Sequence, residues 1–239
     1  MNFCSILLSK LAIKGHDDLF GNIVAYEPIR RLLRLALESE STAHILLLGR
    51  PASAKTMFLT SLMRYLKNCY FTDGTNSTKA RMIDYLIENK PKYLLIDEID
   101  KMAPKDQGML LNLMETGILA ETKYGKTRSA QMKTSVFATC NNTKNLSAPL
   151  LSRFFVVELE QYTYEHFLEI SNELLSCHKI EGEVASVIAN AVWNRSQDIR
   201  DCIKIGSLAK NTSDLEFIID NFFGPKNKVR IQSSEHATY

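Results

Sequence analysis

Residues 45–56 read I-L-L-L-G-R-P-A-S-A-K-T. An apolar run ends at Leu48, a loop of small residues follows, and Lys55-Thr56 opens a segment with Phe58, Leu59, Leu62, Met63 and Leu66 at helical spacing. Strand, tight loop and helix in that order describe a phosphate-binding loop. Backbone around Gly49, Pro51, Ala52, Ser53 and Ala54 wraps a phosphate, the Lys55 ammonium reaches the β/γ-phosphates, and Thr56 offers a hydroxyl to Mg²⁺. Glycine is usual where this chain has Ala54, and frequent where it has Ala52, because glycine tolerates positive φ and lets backbone approach phosphate closely. Alanine fits at 54 if that residue takes helical dihedrals, and the helix N-terminus supplies an anion site in either case.

About forty residues on, a second apolar run, Tyr93 to Ile96, ends in Asp97-Glu98. A neighbouring strand of this kind presents one carboxylate, Asp97, for the metal and one, Glu98, to polarise water. The expected ligands are therefore ATP and Mg²⁺.

Composition bounds the rest. The chain has 239 residues, of which 45% are apolar and 23% charged, enough for one α/β core and a small accessory domain. A net charge of +2 gives no global argument for a nucleic-acid partner. Apolar stretches fall short of a membrane span, and the N-terminus lacks a basic region before its brief apolar segment. Five scattered cysteines without C-x-x-C spacing read as reduced thiols, and the histidines lack metal-ligand spacing. A cytoplasmic protein with no membrane partner is expected.

Along the chain, helices are expected at about 27–38, 56–65, 78–88 and 106–115, the third capped by Asn76 or Ser77, with strands at 45–48, 69–72, 93–96, 135–139 and 154–159. Residues 117–133 read as a β-hairpin turning near Gly125. Met102, Leu110, Leu111 and Leu113 are expected in the core. The pattern from about Tyr162 is purely helical, with Trp193 packed inside. The fold class is α/β: a P-loop NTPase with a parallel sheet core and a hairpin insertion, followed by a small all-helical lid. The expected divisions are 1–160 for the nucleotide-binding core, 161–223 for the lid, and 224–239 for a polar, mobile tail.

G-R-P-A-S-A-K-T, L-L-I-D-E-I-D-K-M, F-A-T-C-N-N, A-P-L-L-S-R-F and S-Q-D-I-R-D occur in this order. The set resembles the AAA+ ATPases over roughly residues 17–215. Within that superfamily L-F-G-N-I, the hairpin and S-A-P-L-L-S-R-F are similar to the RuvB-type branch-migration ATPases, and I-D-E-I-D-K-M with A-K-T to the MCM helicases. The resemblance implies that Glu98 activates the attacking water and that Asn141 is sensor 1, although adjacent Asn142 is an alternative. It implies that Arg153 is an arginine finger reaching the γ-phosphate on the next subunit, and that Arg200 is sensor 2 on the lid. Arg200 could instead pair with Asp198 or Asp201. Leu19, Phe20 and Gly21 fall where the adenine pocket is expected. A trans finger implies self-assembly, with a homo-hexamer expected.

The hairpin carries Lys123, Lys126, Arg128 and Lys133 against Glu121 alone, with Tyr124 at the turn. Cations beside a stacking aromatic suit a phosphate backbone. The plain alternative is a solvated hairpin. The expected function is ATP-driven DNA remodelling of the branch-migration, helicase or loader type, with DNA reached directly or through a recruiting protein. A protein-remodelling chaperone and a nucleotide-gated switch of low turnover are the alternatives. RuvB-type motors carry a winged-helix domain after the lid, and no such domain is expected in the stretch after Arg200.

Overall fold

Successive residues of a strand point to opposite faces of a sheet, and here both faces are apolar. A computed structural model describes residues 19–20, 23, 25–75, 79–123, 126–209 and 211–223. The strands are β1 (His44–Leu48), β2 (Cys69–Asp73), β3 (Tyr93–Asp97), β4 (Ile118–Lys123), β5 (Lys126–Gln131), β6 (Ser135–Cys140) and β7 (Phe155–Glu158). Five of them form one sheet in the order β2-β3-β6-β1-β7. Every neighbouring pair is parallel, with Leu46 opposite Ala138 and Val156, and Leu94 opposite Tyr70 and Val136. Parallel neighbours need crossovers, and the helices between the strands supply them.

Those helices are α1 (Glu27–Glu38), α2 (Lys55–Tyr65), α3 (Lys79–Asn89), α4 (Pro104–Thr116) and the single turn α5 (Ala148–Leu151). Ile45, Leu47, Leu95 and Phe137 face Ile29 and Leu33 of α1 and Phe58, Leu59 and Leu62 of α2. The intervening strand residues Leu46, Leu94, Ile96, Val136 and Ala138 face α3 and α4 through Met82, Ile83, Leu86, Leu110 and Leu113. Two-sided burial sets β1, β3 and β6 as inner strands, whereas β7 lies at an edge with Phe155 and Val156 exposed. The last strand is accordingly shorter than expected. Helix α4 starts earlier than expected because Pro104 fits the first helical turn, whose N–H has no intrahelical acceptor.

Met102, Leu110 and Leu113 are buried as expected, while Leu111 is half-buried. Helix α4 ends at Gly117, which adopts φ 70° and whose N–H donates to Leu113 O. A Cβ there would lie 2.5 Å from the Met132 carbonyl, so the hairpin root closes on glycine. Strands β4 and β5 pair antiparallel, Glu121 opposite Arg128. Their base is apolar: Leu119, Ala130 and Met132 join the α3–α4 side of the core. Tyr124 and Gly125, the side chains of Lys123 and Lys126, the caps at 76–78, and the tail from 224 lie outside the described residues.

The described residues fall into two units, one ending at Tyr162 and the other beginning at Thr163. The second is helical throughout: α6 (Tyr164–Ser176), α7 (Gly182–Arg195), α8 (Ile199–Leu208) and α9 (Thr212–Ile218), continued by a π turn to Phe223. Oxygen side chains start three of them. Thr163 accepts from His166 N, Asp198 from Arg200 N and Asn211 from Asp214 N. Phe167, Leu174, Ile188, Val192, Cys202 and Ile205 are its buried core, and half-buried Trp193 packs on Tyr164 and Phe167 at 5.5 and 5.3 Å.

Candidate functional site

The loop between β1 and α2 is held by its own lysine. Lys55 Nζ donates to Gly49 O at 2.7 Å, Arg50 O at 2.6 Å and Ser53 Oγ at 3.0 Å, and the side chain is buried. Burial lowers its pKa, and the nearby Cys140, Asp97, Asp100 and Glu98 offset only part of that shift. Gly49 is tight: a Cβ would lie 3.1 Å from Leu159 O and 3.0 Å from Ser53 Oγ. Ala54 has φ −67° and ψ 10°, close to helical values, and no side chain caps the helix it begins. The first-turn N–H groups of α2 therefore lack a side-chain acceptor, which is what an anion site needs. Ala52 differs, with φ 66° in the left-handed region.

Around this loop the parallel sheet brings together residues from three strand ends. Thr56 Oγ1 donates to Asp97 Oδ2 at 3.1 Å across the β1–β3 gap. Thr139, fully buried in β6, donates its hydroxyl to Asp97 and accepts from Glu98 N at 3.0 Å. Glu98 sits at φ 51°, a strained angle for a side-chain-bearing residue, and its carboxylate accepts from Asn141 Nδ2 at 3.3 Å. Asn142 points elsewhere, its Oδ1 accepting from Lys144 N at 3.1 Å in a turn. Geometry thus selects Asn141 over Asn142 as the partner of Glu98. Gly74 completes the set, because a Cβ there would lie 2.2 Å from Glu98 O.

Oxygen donors from Thr56 and Asp97 match the preference of Mg²⁺ for hydroxyl and carboxylate ligands. Among the described residues no cluster of three or more His, Cys, Asp and Glu could hold a metal on its own. A Mg²⁺ held here would take its remaining ligands from phosphate and water.

Other expected residues fall differently. Phe20 is fully buried and packs edge-on against Phe58, ring centroids 5.3 Å apart. Leu19 is half-buried, and Gly21 lies outside the described residues. Arg128 is drawn inward: its guanidinium meets Asp84 and Glu121, with Nε donating to Glu121 Oε2 at 3.0 Å. That removes Arg128 from the hairpin's free cations, and Lys133 remains exposed. Arg153 follows α5, and its guanidinium donates to Glu115 Oε1 at 2.7 Å. Arg200 pairs with Asp198, Nη2 to Oδ2 at 2.6 Å, the pairing that its neighbours allowed.

Residues 45–162 match the ATPase family associated with various cellular activities (AAA). This stretch is an AAA domain. Two DNA replication licensing factors are similar to the chain: mcm6 of Dictyostelium discoideum at 26% identity over 207 residues, and MCM5 of Oryza sativa subsp. indica at 25% over 201. Each alignment covers 70% of this chain but only 23% and 27% of the relative, so the chain spans about a quarter of their length. Among solved structures the Thermotoga maritima RuvB Holliday junction branch migration motor superposes with a TM-score of 0.60 at 26% identity, over 83% of this chain and 65% of that one. A single-residue mutant of that RuvB matches with a TM-score of 0.62 at 22% identity.

Thr139, Asp100 and Gln107 of the AAA domain were not singled out from sequence. Asp100 is 2% exposed, and its Oδ1 has no hydrogen-bond partner among the described residues. Its charge, after desolvation by burial, helps push the Cys140 thiol up to about 12. The I-D-E-I-D spacing could have flagged Asp100, since a second carboxylate so close to Glu98 falls on the same turn. Nothing in a lone threonine or glutamine could have.

Proposed function

We propose that this chain is an ATP hydrolase of the AAA+ type whose subunits assemble around shared nucleotide, and that it remodels DNA. The observation that carries the ATPase reading is the convergence of Thr56, Asp97, Thr139, Glu98 and Asn141 beside a lysine-held phosphate loop. Phosphoryl transfer spreads negative charge over the γ-phosphate, so catalysis is mostly positioning and placement of cations. Lys55 exchanges loop carbonyls for phosphate oxygens. Thr56 and Asp97 would hold Mg²⁺, which when bound would neutralise phosphate charge. Glu98 orients water and takes its proton, while Asn141 keeps the carboxylate in line. Thr139 fixes Asp97 and Glu98 relative to each other. Arg153 supplies a cation to the neighbouring subunit's nucleotide, and for Arg200 the support is its motif alone.

Glu98→Gln should abolish turnover while leaving ATP binding, and Arg153→Ala should lower turnover by about 10³-fold or more. An Arg153→Ala protein with wild-type turnover would sink the shared-nucleotide reading. The DNA reading is supported by the MCM and RuvB likenesses and by the remaining hairpin lysines. Duplex, branched or single-stranded DNA should raise turnover, and Lys126→Glu with Lys133→Glu should weaken salt-dependent DNA binding. Indifference to every DNA form favours a protein substrate instead, a reading encouraged by the internal pairing of Arg128.

A further inference from the structure

Gln107 lies on α4, well away from the phosphate loop in sequence, yet it is 2% exposed and both ends of its amide are engaged. Nε2 donates to Asn145 O at 2.7 Å, and Oε1 accepts from Ser147 N at 3.0 Å. Asn145 in turn donates from Nδ2 to Asp100 O at 3.2 Å. Four residues before Asn145 stands Asn141, the partner of Glu98. Six residues after Ser147 stands Arg153. The peptide between them therefore starts at one nucleotide site and ends at the cation proposed for another.

The same stretch is seated on α4 by apolar contacts. Leu146, Leu150 and Phe154 are buried in one cluster with Leu110 and Leu113. At its far end Arg153 pairs with Glu115, the penultimate residue of α4. The two polar holds differ in strength. The Arg153–Glu115 pair is 37% and 50% exposed, and exposed pairs of this kind are worth about 0–1 kcal/mol. The Gln107 side chain is itself buried, so leaving either end of its amide unpaired carries that group's desolvation cost. The amide, not the ion pair, sets the register of the stretch.

We propose that Gln107 is a positioning residue for Arg153, fixing in one subunit the cation that serves the nucleotide of the next. This rests on the shared-nucleotide reading above, so the test must separate the two. Mixing Glu98→Gln subunits (finger present, own pocket silent) with Arg153→Ala subunits (pocket intact, finger absent) restores turnover only where a finger crosses between copies. Adding Gln107→Ala to the Glu98→Gln donor should lower that restored turnover by about tenfold, because small misplacement of a charge is costly. Adding it to the Arg153→Ala acceptor should cost much less. Gln107→Met, which keeps side-chain length and burial but neither polar contact, should repeat the pattern, and it serves alone if Gln107→Ala does not fold. Equal losses from donor and acceptor placement, or no loss from the donor, overturn the role of Gln107. Absence of restored turnover in the parent mixture overturns the shared-nucleotide reading instead.

Discussion

Two alanines replace glycines in the phosphate loop, and their backbones give opposite expectations. Ala52 adopts φ 66°, where a Cβ is strained. Ala52→Gly should stabilise the protein by about 0.5–1 kcal/mol, the strain relieved exceeding the extra entropy of an unfolded glycine. Ala54 takes near-helical angles and is 2% exposed, so Ala54→Gly should destabilise by about 0.5–1 kcal/mol. Urea unfolding of the two variants checks the signs, and equal signs refute the account. At Thr139 the hydroxyl links Asp97 to the Glu98 N–H. Thr139→Val keeps the shape and removes the link, so turnover should fall by about 10²-fold with nucleotide affinity little changed, read from kcat and from equilibrium ATP binding. Gly74→Ala should be worse still, since its Cβ collides with the Glu98 carbonyl and not with a mobile side chain.

At the scale of elements, α8 begins at Asp198, which both caps the helix and pairs with Arg200. Burial pushes the Asp198 carboxyl up, but the hydrogen bonds and charge of Arg200, with Lys204, outweigh it and leave its pKa lowered. A depressed folded pKa gives stability that is present above the unfolded value of about 3.9 and is lost as pH falls through the folded one. Asp198→Asn keeps a competent cap and removes the charge. It should accelerate amide exchange in α8 at pH 7, by no more than about 1 kcal/mol for so exposed a pair, and the difference should shrink below about pH 4. A pH-independent difference would mean that the charge pairing is immaterial.

Whole-molecule architecture was legible where periodicity and punctuation agreed. The apolar runs at 45–48, 93–96 and 135–139 are the strands buried on both faces, and two extended arms around Gly125 marked the hairpin. Contacts between distant segments left no comparable trace. The packing of Phe20 against Phe58 is one such contact. Arg128 was counted with the surface cations, and two carboxylates, one of them from α3, claimed it. The single turn α5 is too short for a period. Asn141 and Asn142 could be separated only once the end of β6 was placed beside Glu98. If subunits share nucleotide, turnover per subunit should rise with protein concentration and then level off, whereas a self-sufficient monomer gives a flat line.

The grip of Lys55 on Gly49, Arg50 and Ser53 has a practical corollary for genetics. Replacing that lysine to make a nucleotide-blind allele also unties the turn it staples, so any loss of assembly or solubility in such a strain has two origins. Lesions at Glu98 leave the staple in place and give the cleaner loss-of-function reagent.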